Sequence, residues 1–189
     1  EAKSLFSRAL SLEPDNLEVL TALGVLEFNV GKLETAKALL QQVLRVDPYR
    51  ANALEGIVLI GMKTRRFGEA VALCKRYLEF CQLARQPPAP QMLILNVQCS
   101  ERVGRLSEAI ETFKAVATKH YDEFPQFTAA LAEAYATVGQ MDDALATVKS
   151  VLKDHPKLEP AQAQSGPVVV IQIQQAGDPN GRSHSQLEP

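Results

Sequence analysis

The sequence predicts an all-α fold, a solenoid of antiparallel helix pairs, and three observations lead to this prediction. An alanine recurs every 34 to 39 residues, at Ala2, Ala36, Ala70, Ala109 and Ala144. Between these alanines, apolar residues follow each other at the three- to four-residue spacing of a helix face. Prolines at 14, 48 and 156 stop helices at matching points of three units. A fixed period of this length is typical of repeat proteins, in which each unit packs against its neighbours.

Composition indicates an ordinary folded protein without a charge bias. The 189 residues are 46% hydrophobic, and the formal net charge is −2. This balance gives the chain as a whole no attraction to nucleic acid or to an anionic membrane. Tryptophan is absent and aromatic residues make up 6%. We therefore expect the helices to pack mainly through Leu, Ala and Val.

The chain starts without a methionine, inside a helix whose pairing partner is missing. We therefore expect a fragment or an extracted domain of a longer protein. The longest apolar run, residues 57–62, is far shorter than the about 20 residues that span a bilayer, so we expect no direct membrane insertion.

Cys74 and Cys81 are about 10 Å apart along one predicted helix, too far for a disulfide. Reduced thiols favour a cytoplasmic location.

The first part of the chain predicts one lone helix and one complete helix pair. Residues 2–13 have a helical apolar spacing, and Pro14 ends that helix. Asn16 provides an N-cap for the helix at 17–29, and Gly31 follows it, where a left-handed conformation is easiest for glycine. The next helix presents a buried face that begins at Ala36 and ends before Pro48.

The third unit departs from this pattern in two places. Arg65 stands where the preceding unit has Gly31, and Gln82 replaces the terminal proline. The second helix of this unit is therefore predicted to continue to about Ala84. Three prolines within residues 86–90 then interrupt it, because proline is excluded from a helix interior.

The fourth and fifth units return to the pattern, with helices predicted at 91–103, 106–120, 125–138 and 141–154. Gly104 and Gly139 mark the turns within them, and Pro125 suits a first helical turn. Residues 157–189 are rich in Pro, Gln, Ser and Gly, which predicts a disordered or extended tail. The alternatives are the start of a downstream domain or a segment that covers the last helix. Within the tail, residues 168–173 have strong β-propensity.

The repeats resemble the tetratricopeptide repeat (TPR) family, whose pattern is W-x-x-L-G-x-x-Y, then A-x-x-x-F, then P. At these positions the first full unit reads Leu20, Leu23, Gly24, Glu27, Ala36, Leu40 and Pro48. The last unit reads Thr128, Leu131, Ala132, Tyr135, Ala144, Val148 and Pro156. In the fourth unit, Asn96 and Val97 replace the Leu-Gly pair. The resemblance implies a right-handed superhelical α-solenoid over residues 1–156, with a partial repeat at 1–16 and repeats at 17–50, 51–89, 90–124 and 125–156.

The resemblance also implies a non-catalytic scaffold that binds a peptide or protein partner in a concave groove, lined by the first helix of each pair. Carried onto this chain, the groove positions are Glu18, Thr21, Val25, Phe28, Asn52, Glu55, Leu59, Met62, Gln91, Ile94, Gln98, Glu101, Gln126, Ala129 and Glu133. Their mixed apolar and acidic character predicts a partner with apolar anchors and some basic residues. The basic clamp that some TPR proteins use for acidic chaperone C-termini is not expected here.

The sequence offers few residues for catalysis, a metal or a cofactor, and we expect none of the three. His120, His155 and His184 fit helix ends or solvent, and no pair of them has metal-ligand spacing. Cys74 occupies the packing position of Phe113, which predicts a buried thiol rather than a nucleophile. The basic residues at 63–66 lack the interleaved aromatic residues of a nucleic-acid site.

Two further possibilities stay open at this point. The array could be the regulatory or substrate-recruiting region of a larger enzyme, such as a glycosyltransferase, a kinase or a phosphatase. Self-association is the other, because the first helix lacks a partner and residues 168–173 form an unpaired strand candidate.

Overall fold

A computed structural model describes residues 2–119 and 126–154, and within these ranges the chain forms nine α-helices and no strand. The helices are α1 Ala2–Leu12, α2 Leu17–Asn29, α3 Leu33–Val46, α4 Ala51–Lys63, α5 Phe67–Leu83, α6 Pro90–Arg102, α7 Leu106–Lys119, α8 Gln126–Thr137 and α9 Met141–Asp154. The predicted all-α fold is confirmed for these residues. Predictions about His120, Pro125, His155, His184 and the tail at 157–189 lie outside the described residues.

Helices that follow each other along the chain pack together within two compact units. In the first unit, residues 1–120, each helix from α1 to α7 contacts the next, and α2 also contacts α4, as α4 contacts α6. In the second unit, residues 121–189, α8 packs against α9. The first helices of successive pairs in the first unit therefore form a continuous surface. The repeat boundaries proposed from the sequence remain predictions.

The repeating alanine is buried wherever the structure describes its side chain. Ala36, Ala70, Ala109 and Ala144 are all at most 3% exposed. A methyl group at this position lets the second helix of a pair approach the first closely, which a larger side chain would prevent. The alanine that recurs in the sequence therefore marks, in each repeat, the place where two helices are in close contact.

Leu40 of α3 fills the space between two neighbouring first helices. Its side chain is 0% exposed. A Cβ atom built on Gly24 of α2 would lie 2.9 Å from Leu40 Cγ, and one built on Gly56 of α4 would lie 2.5 Å from Leu40 Cδ1. The two glycines therefore provide the room that one leucine occupies.

The start of α2 and the turns between paired helices follow the predicted chemistry. The side-chain oxygen of Asn16 accepts hydrogen bonds from the N–H groups of Glu18 and Val19, both at 3.1 Å, which confirms the predicted N-cap. Gly31 has the positive φ of 82° that was expected of a glycine there. Arg65 adopts the same kind of conformation, with φ 60°, although it carries a side chain. The turn geometry is thus retained where the glycine is lost.

Replacing Arg65 with glycine should stabilise the protein by about 1 kcal/mol, since a left-handed conformation costs roughly that much for a residue with a Cβ atom. Urea denaturation followed by circular dichroism measures the change. Gly31→Ala is the matched control, because nothing lies within 4 Å of a Cβ atom at Gly31 and only the conformation opposes it. We expect a loss of similar size there. Equal stability of Arg65→Gly and the parent would contradict the assignment of strain.

The proline-rich segment after α5 is attached to the core by a buried tyrosine. α5 ends at Leu83 with Ala84 as its C-cap, as predicted for the longer helix. The Ala89 N–H donates a hydrogen bond to the Tyr77 hydroxyl at 2.9 Å. Burial raises the pKa of Tyr77 to about 12. The segment that lengthens this repeat is therefore held against α5 at a defined point.

Tyr77→Phe should cost about 1 kcal/mol, because the half-buried Ala89 N–H loses its acceptor while the ring packing is kept. Hydrogen exchange of the Ala89 amide should become faster, and thermal unfolding gives the stability change. In the control Tyr49→Phe, the ring that stacks on Phe80 at 3.9 Å between centroids is retained. Unchanged exchange at Ala89 in Tyr77→Phe would show that the bond does not hold the segment.

Candidate partner-binding groove

A groove opens between α2 and α4 in the first unit, with a cavity volume of about 570 Å³. Its predicted lining residues are Glu18, Thr21, Val25 and Phe28 of α2 with Asn52, Glu55 and Leu59 of α4. Residues three and four apart share one face of a helix, and the contact between α2 and α4 places these two faces side by side. The structure therefore brings together seven of the predicted positions.

The walls of the groove include accessible apolar groups, and Lys63, outside the lining, contacts one of them. Val25 is 40% exposed, whereas Thr21 is nearly buried and donates its hydroxyl to the Leu17 carbonyl at 2.6 Å. Phe28 is half-buried, and the Nζ atom of Lys63 lies 4.4 Å from the centroid of its ring. This distance is within the range of a cation–π contact. Lys63 is therefore in contact with the Phe28 ring.

Two carboxylates and one guanidinium give the groove a small negative excess. Arg50 Nη2 lies 3.7 Å from Glu18 Oε1, and Arg50 Nη1 lies 4.0 Å from Asp47 Oδ2. Burial raises the pKa of Glu55, whose side chain forms part of the wall on α4. Arg50 is thus already engaged by carboxylates of the chain, whereas Glu55 is desolvated and forms no ion pair with another described residue.

Glu55→Gln should increase stability slightly at neutral pH. The folded-state pKa of Glu55 is raised, so ionisation of this carboxyl opposes folding, and that opposition grows as the pH rises above the ordinary pKa of a glutamate. The variant and the parent should be equally stable at low pH and diverge toward neutral pH. Denaturation at a series of pH values tests this.

Glu108→Gln is the control of opposite sign. A hydrogen bond from Lys75 lowers the pKa of Glu108, so its contribution is present above the ordinary glutamate pKa and is lost as the pH falls. The glutamine variant should therefore lose stability at neutral pH. If both variants had the same pH profile, burial of Glu55 would not be the cause.

The remaining predicted positions do not line this groove. Met62 is half-buried and packs against the core formed by α4, α5 and α6. Gln91 and Gln98 are half-buried and Glu101 is exposed, all on α6. Ile94 is 1% exposed, so the prediction that it lines a groove is wrong.

α6 buries side chains on most of its surface because α4, α5 and α7 all contact it. Glu133 is on α8 in the second unit, where burial raises its pKa, and the side chains of Gln126 and Ala129 lie outside the described part of the chain.

Four lining residues were missed by sequence reasoning: Ala22, Asn29, Arg50 and Gly56. The helical period could have indicated Ala22 and Asn29, which flank predicted positions on α2.

All three cysteines are buried, free thiols in one core. Cys74 is 0% exposed, as the packing interpretation predicted. Burial, together with the nearby Cys99, raises the pKa of Cys74 to about 12, and burial raises the pKa of Cys99 to about 11. These two thiols are therefore almost entirely protonated at neutral pH, which disfavours a nucleophilic role.

Neither a metal site nor a membrane span has a candidate in the described part of the chain. Within residues 2–119 and 126–154, His, Cys, Asp and Glu side chains form no group of three that could hold a metal ion. In the same ranges, each helix is too short or too polar to cross a bilayer.

The family model of the tetratricopeptide repeat matches residues 1–57 and 104–165. The chain belongs to the TPR family. The match omits residues 58–103, which include Arg65 and Gln82, where the sequence departs from the repeat pattern, and Asn96, which replaces the usual leucine. No curated protein sequence matches the chain.

Solved structures of TPR proteins share the fold of this chain. TTC0263, a thermophilic TPR protein in Thermus thermophilus, is 18% identical with a TM-score of 0.64, over 92% of this chain and 88% of that one. YrrB, a TPR protein with an unusual peptide-binding site, is 16% identical with a TM-score of 0.53, over 80% and 75%. MamA is 17% identical with a TM-score of 0.54, over 82% and 87%. At these identities the likeness concerns the fold alone.

Proposed function

We propose that this TPR array binds a peptide segment of a partner protein in the groove between α2 and α4. The observation that carries the proposal is the meeting of accessible apolar groups and a desolvated carboxylate in one cavity of about 570 Å³. Val25, Phe28 and Leu59 would receive an apolar side chain of the peptide. Glu55 would receive a lysine or arginine.

The apolar part of the groove supports an anchor contact. Val25 of α2 is 40% exposed, and Phe28 and Leu59 are each half-buried in the same cavity. Covering this surface removes apolar area from water, which is the main favourable term in peptide binding.

The charged part of the groove supports a preference for a basic residue next to the anchor. The raised pKa of Glu55 shows that its ionised form lacks full solvation. A cation from the partner would restore a favourable interaction for this carboxylate. Glu18 adds a second carboxylate, but Arg50 lies 3.7 Å from it, so Glu55 has the larger role.

A displayed library of random peptides tests the proposal. Peptides selected on the parent protein should contain an aliphatic or aromatic residue near a lysine or arginine. The Phe28→Ala/Leu59→Ala variant should bind them at least about tenfold more weakly, because it removes two of the proposed anchor contacts at once. Leu83→Ala is the control, because Leu83 is 85% exposed and lies outside the groove. Selected peptides that bind the groove variant as tightly as the parent would refute the proposal.

Glu55→Gln gives the second part of the test. Affinity for the basic peptides should fall, and it should become less dependent on salt concentration. Association with a larger enzyme, self-association and a cytoplasmic location remain predictions.

A further inference from the structure

A second cavity, here called the α5–α7 pocket, lies between α5, α6 and α7, with a volume of about 470 Å³. It is contained in the first unit and shares no lining residue with the groove between α2 and α4. Its apolar lining is Leu78, Pro88, Ala109, Ala115 and Val116, with the side chains of Cys81, Asn96, Ser100 and Thr112 among them. The volume is in the range of sites that accept a small organic group.

The pocket lies where the fourth repeat departs from the family pattern. In W-x-x-L-G-x-x-Y, the leucine position is Asn96 and the tyrosine position is Ser100. In the fifth repeat, the tyrosine position is filled by Tyr135, which is 5% exposed. A serine in place of a tyrosine removes an aromatic ring and its hydroxyl from the interior. The smaller side chain of Ser100 therefore leaves room beside α6 that an aromatic ring would occupy.

The side chain of Asn96 indicates which chemical group the pocket would bind. Its side chain is 2% exposed and lines the pocket. The Oδ1 atom of Asn96 is buried and has no hydrogen-bond partner among the described residues. A buried acceptor without a donor is unfavourable, so a bound group that brought an N–H or O–H to this oxygen would gain a hydrogen bond. An aliphatic or a phenyl group would leave this oxygen unsatisfied.

The rim of the pocket carries charged side chains of both signs. Lys75 Nζ lies 2.6 Å from Glu108 Oε1, a contact that joins α5 to α7 beside the pocket. Arg85 and Lys119 also line it, as does Glu79. Outside the pair of Lys75 and Glu108, two cations and one carboxylate remain around an apolar interior. The apolar interior suits an aromatic side chain, and the polypeptide that carries it would lie along the charged rim.

We propose that the α5–α7 pocket binds a tryptophan or tyrosine side chain of a partner polypeptide, whose N–H or O–H donates to Asn96 Oδ1. The partner thereby replaces the aromatic residue that the fourth repeat lacks at Ser100. This second site is independent of the groove between α2 and α4. A partner with both features would contact the array at two places.

The absence of tryptophan from the chain makes a direct test simple. N-acetyl-tryptophanamide, a tryptophan capped at both ends as within a peptide, is the probe, and its fluorescence is read without tryptophan emission from the protein. We expect saturable binding, about tenfold weaker for the 1-methyl-indole analogue that lacks the N–H donor. N-acetyl-tyrosinamide should likewise bind more tightly than N-acetyl-phenylalaninamide, as judged by NMR shifts of the Ala109 and Val116 methyl groups.

Two variants assign the binding to the pocket. Ser100→Tyr restores the family residue and should abolish probe binding while unfolding at an equal or higher temperature. Asn96→Leu restores the other family residue, and it should remove the discrimination between the indole and its methylated analogue. Phe28→Ala is the control, since it alters the separate groove and should leave probe binding unchanged.

Several results would overturn the proposal. They are the absence of saturable binding by either capped aromatic amide, equal affinity for the methylated probe, and full binding by a folded Ser100→Tyr variant. Loss of probe binding in Phe28→Ala would place the aromatic group in the groove instead. Binding of free indole without binding of the capped amide would identify a small-molecule site and exclude the polypeptide partner. None of these results bears on the peptide library selected at Phe28 and Leu59.

Discussion

Leu40→Ala should lower the free energy of unfolding by about 2–5 kcal/mol, the range found when a fully buried leucine is truncated. Leu40 is 0% exposed, and its side chain lies against Gly24 of α2 and Gly56 of α4. Removing it leaves a cavity where three helices meet, and the glycines carry no side chain that could move in to fill it. Urea denaturation of the parent and the variant, followed by circular dichroism, gives the difference.

The control for this prediction is Leu83→Ala, in which the same atoms are removed from a side chain that is 85% exposed. It should change stability by less than about 0.5 kcal/mol. A loss below about 1 kcal/mol in Leu40→Ala would show that α2 and α4 collapse into the space left by the leucine. In that case the groove between these helices should also change shape, which the peptide affinities would reveal.

Gly56→Ala should destabilise the parent by about 1–3 kcal/mol, although alanine is the better helix former. A Cβ atom at this position would lie 2.5 Å from Leu40 Cδ1, which forces the buried leucine to move. In the Leu40→Ala background that contact is absent. The same substitution should then stabilise the helix, by up to about 1 kcal/mol.

A double-mutant cycle measures this reversal of sign as the coupling between the two positions. Gly68→Ala is the control, because nothing lies within 4 Å of a Cβ atom there. Its effect should be the same in the parent and in the Leu40→Ala background. Additive effects of Gly56→Ala and Leu40→Ala would show that the two residues do not share one space.

Local chemistry made the ends of the helices predictable. Asn16, Gly31 and Pro48 act through the few backbone groups beside them, so their roles are visible without the tertiary structure. Arg65 illustrates the limit of this reasoning. The turn keeps a positive φ of 60° at Arg65 because the contacts of α4 with α5 determine its geometry. Arg65 therefore adopts a backbone conformation that is unfavourable for a residue with a Cβ atom.

The candidate groove was predictable only where a helix has one open face. α2 and α4 place their predicted residues together because the helical period fixes which residues share a face. On α6 the helical period gave a wrong prediction for Ile94, because neighbours cover several sides of that helix and the period does not say which side is free.

The α5–α7 pocket had a signal in the sequence, the serine at position 100 in place of tyrosine. Whether neighbouring side chains fill the resulting space depends on packing in three dimensions.

All three thiols lie in one core, so their chemical reactivity measures how often that core opens. Cys74, Cys81 and Cys99 all belong to the core that α4, α5 and α6 share, whereas the core around Leu40 contains no cysteine among its described residues. Each thiol reacts with an alkylating reagent only when its surroundings open and it ionises. Labelling rates under native conditions therefore report openings that expose the core of the third and fourth repeats. Cysteine labelling therefore measures how often this core opens. Its rate can be compared with the opening rates of the neighbouring repeats, measured by hydrogen exchange.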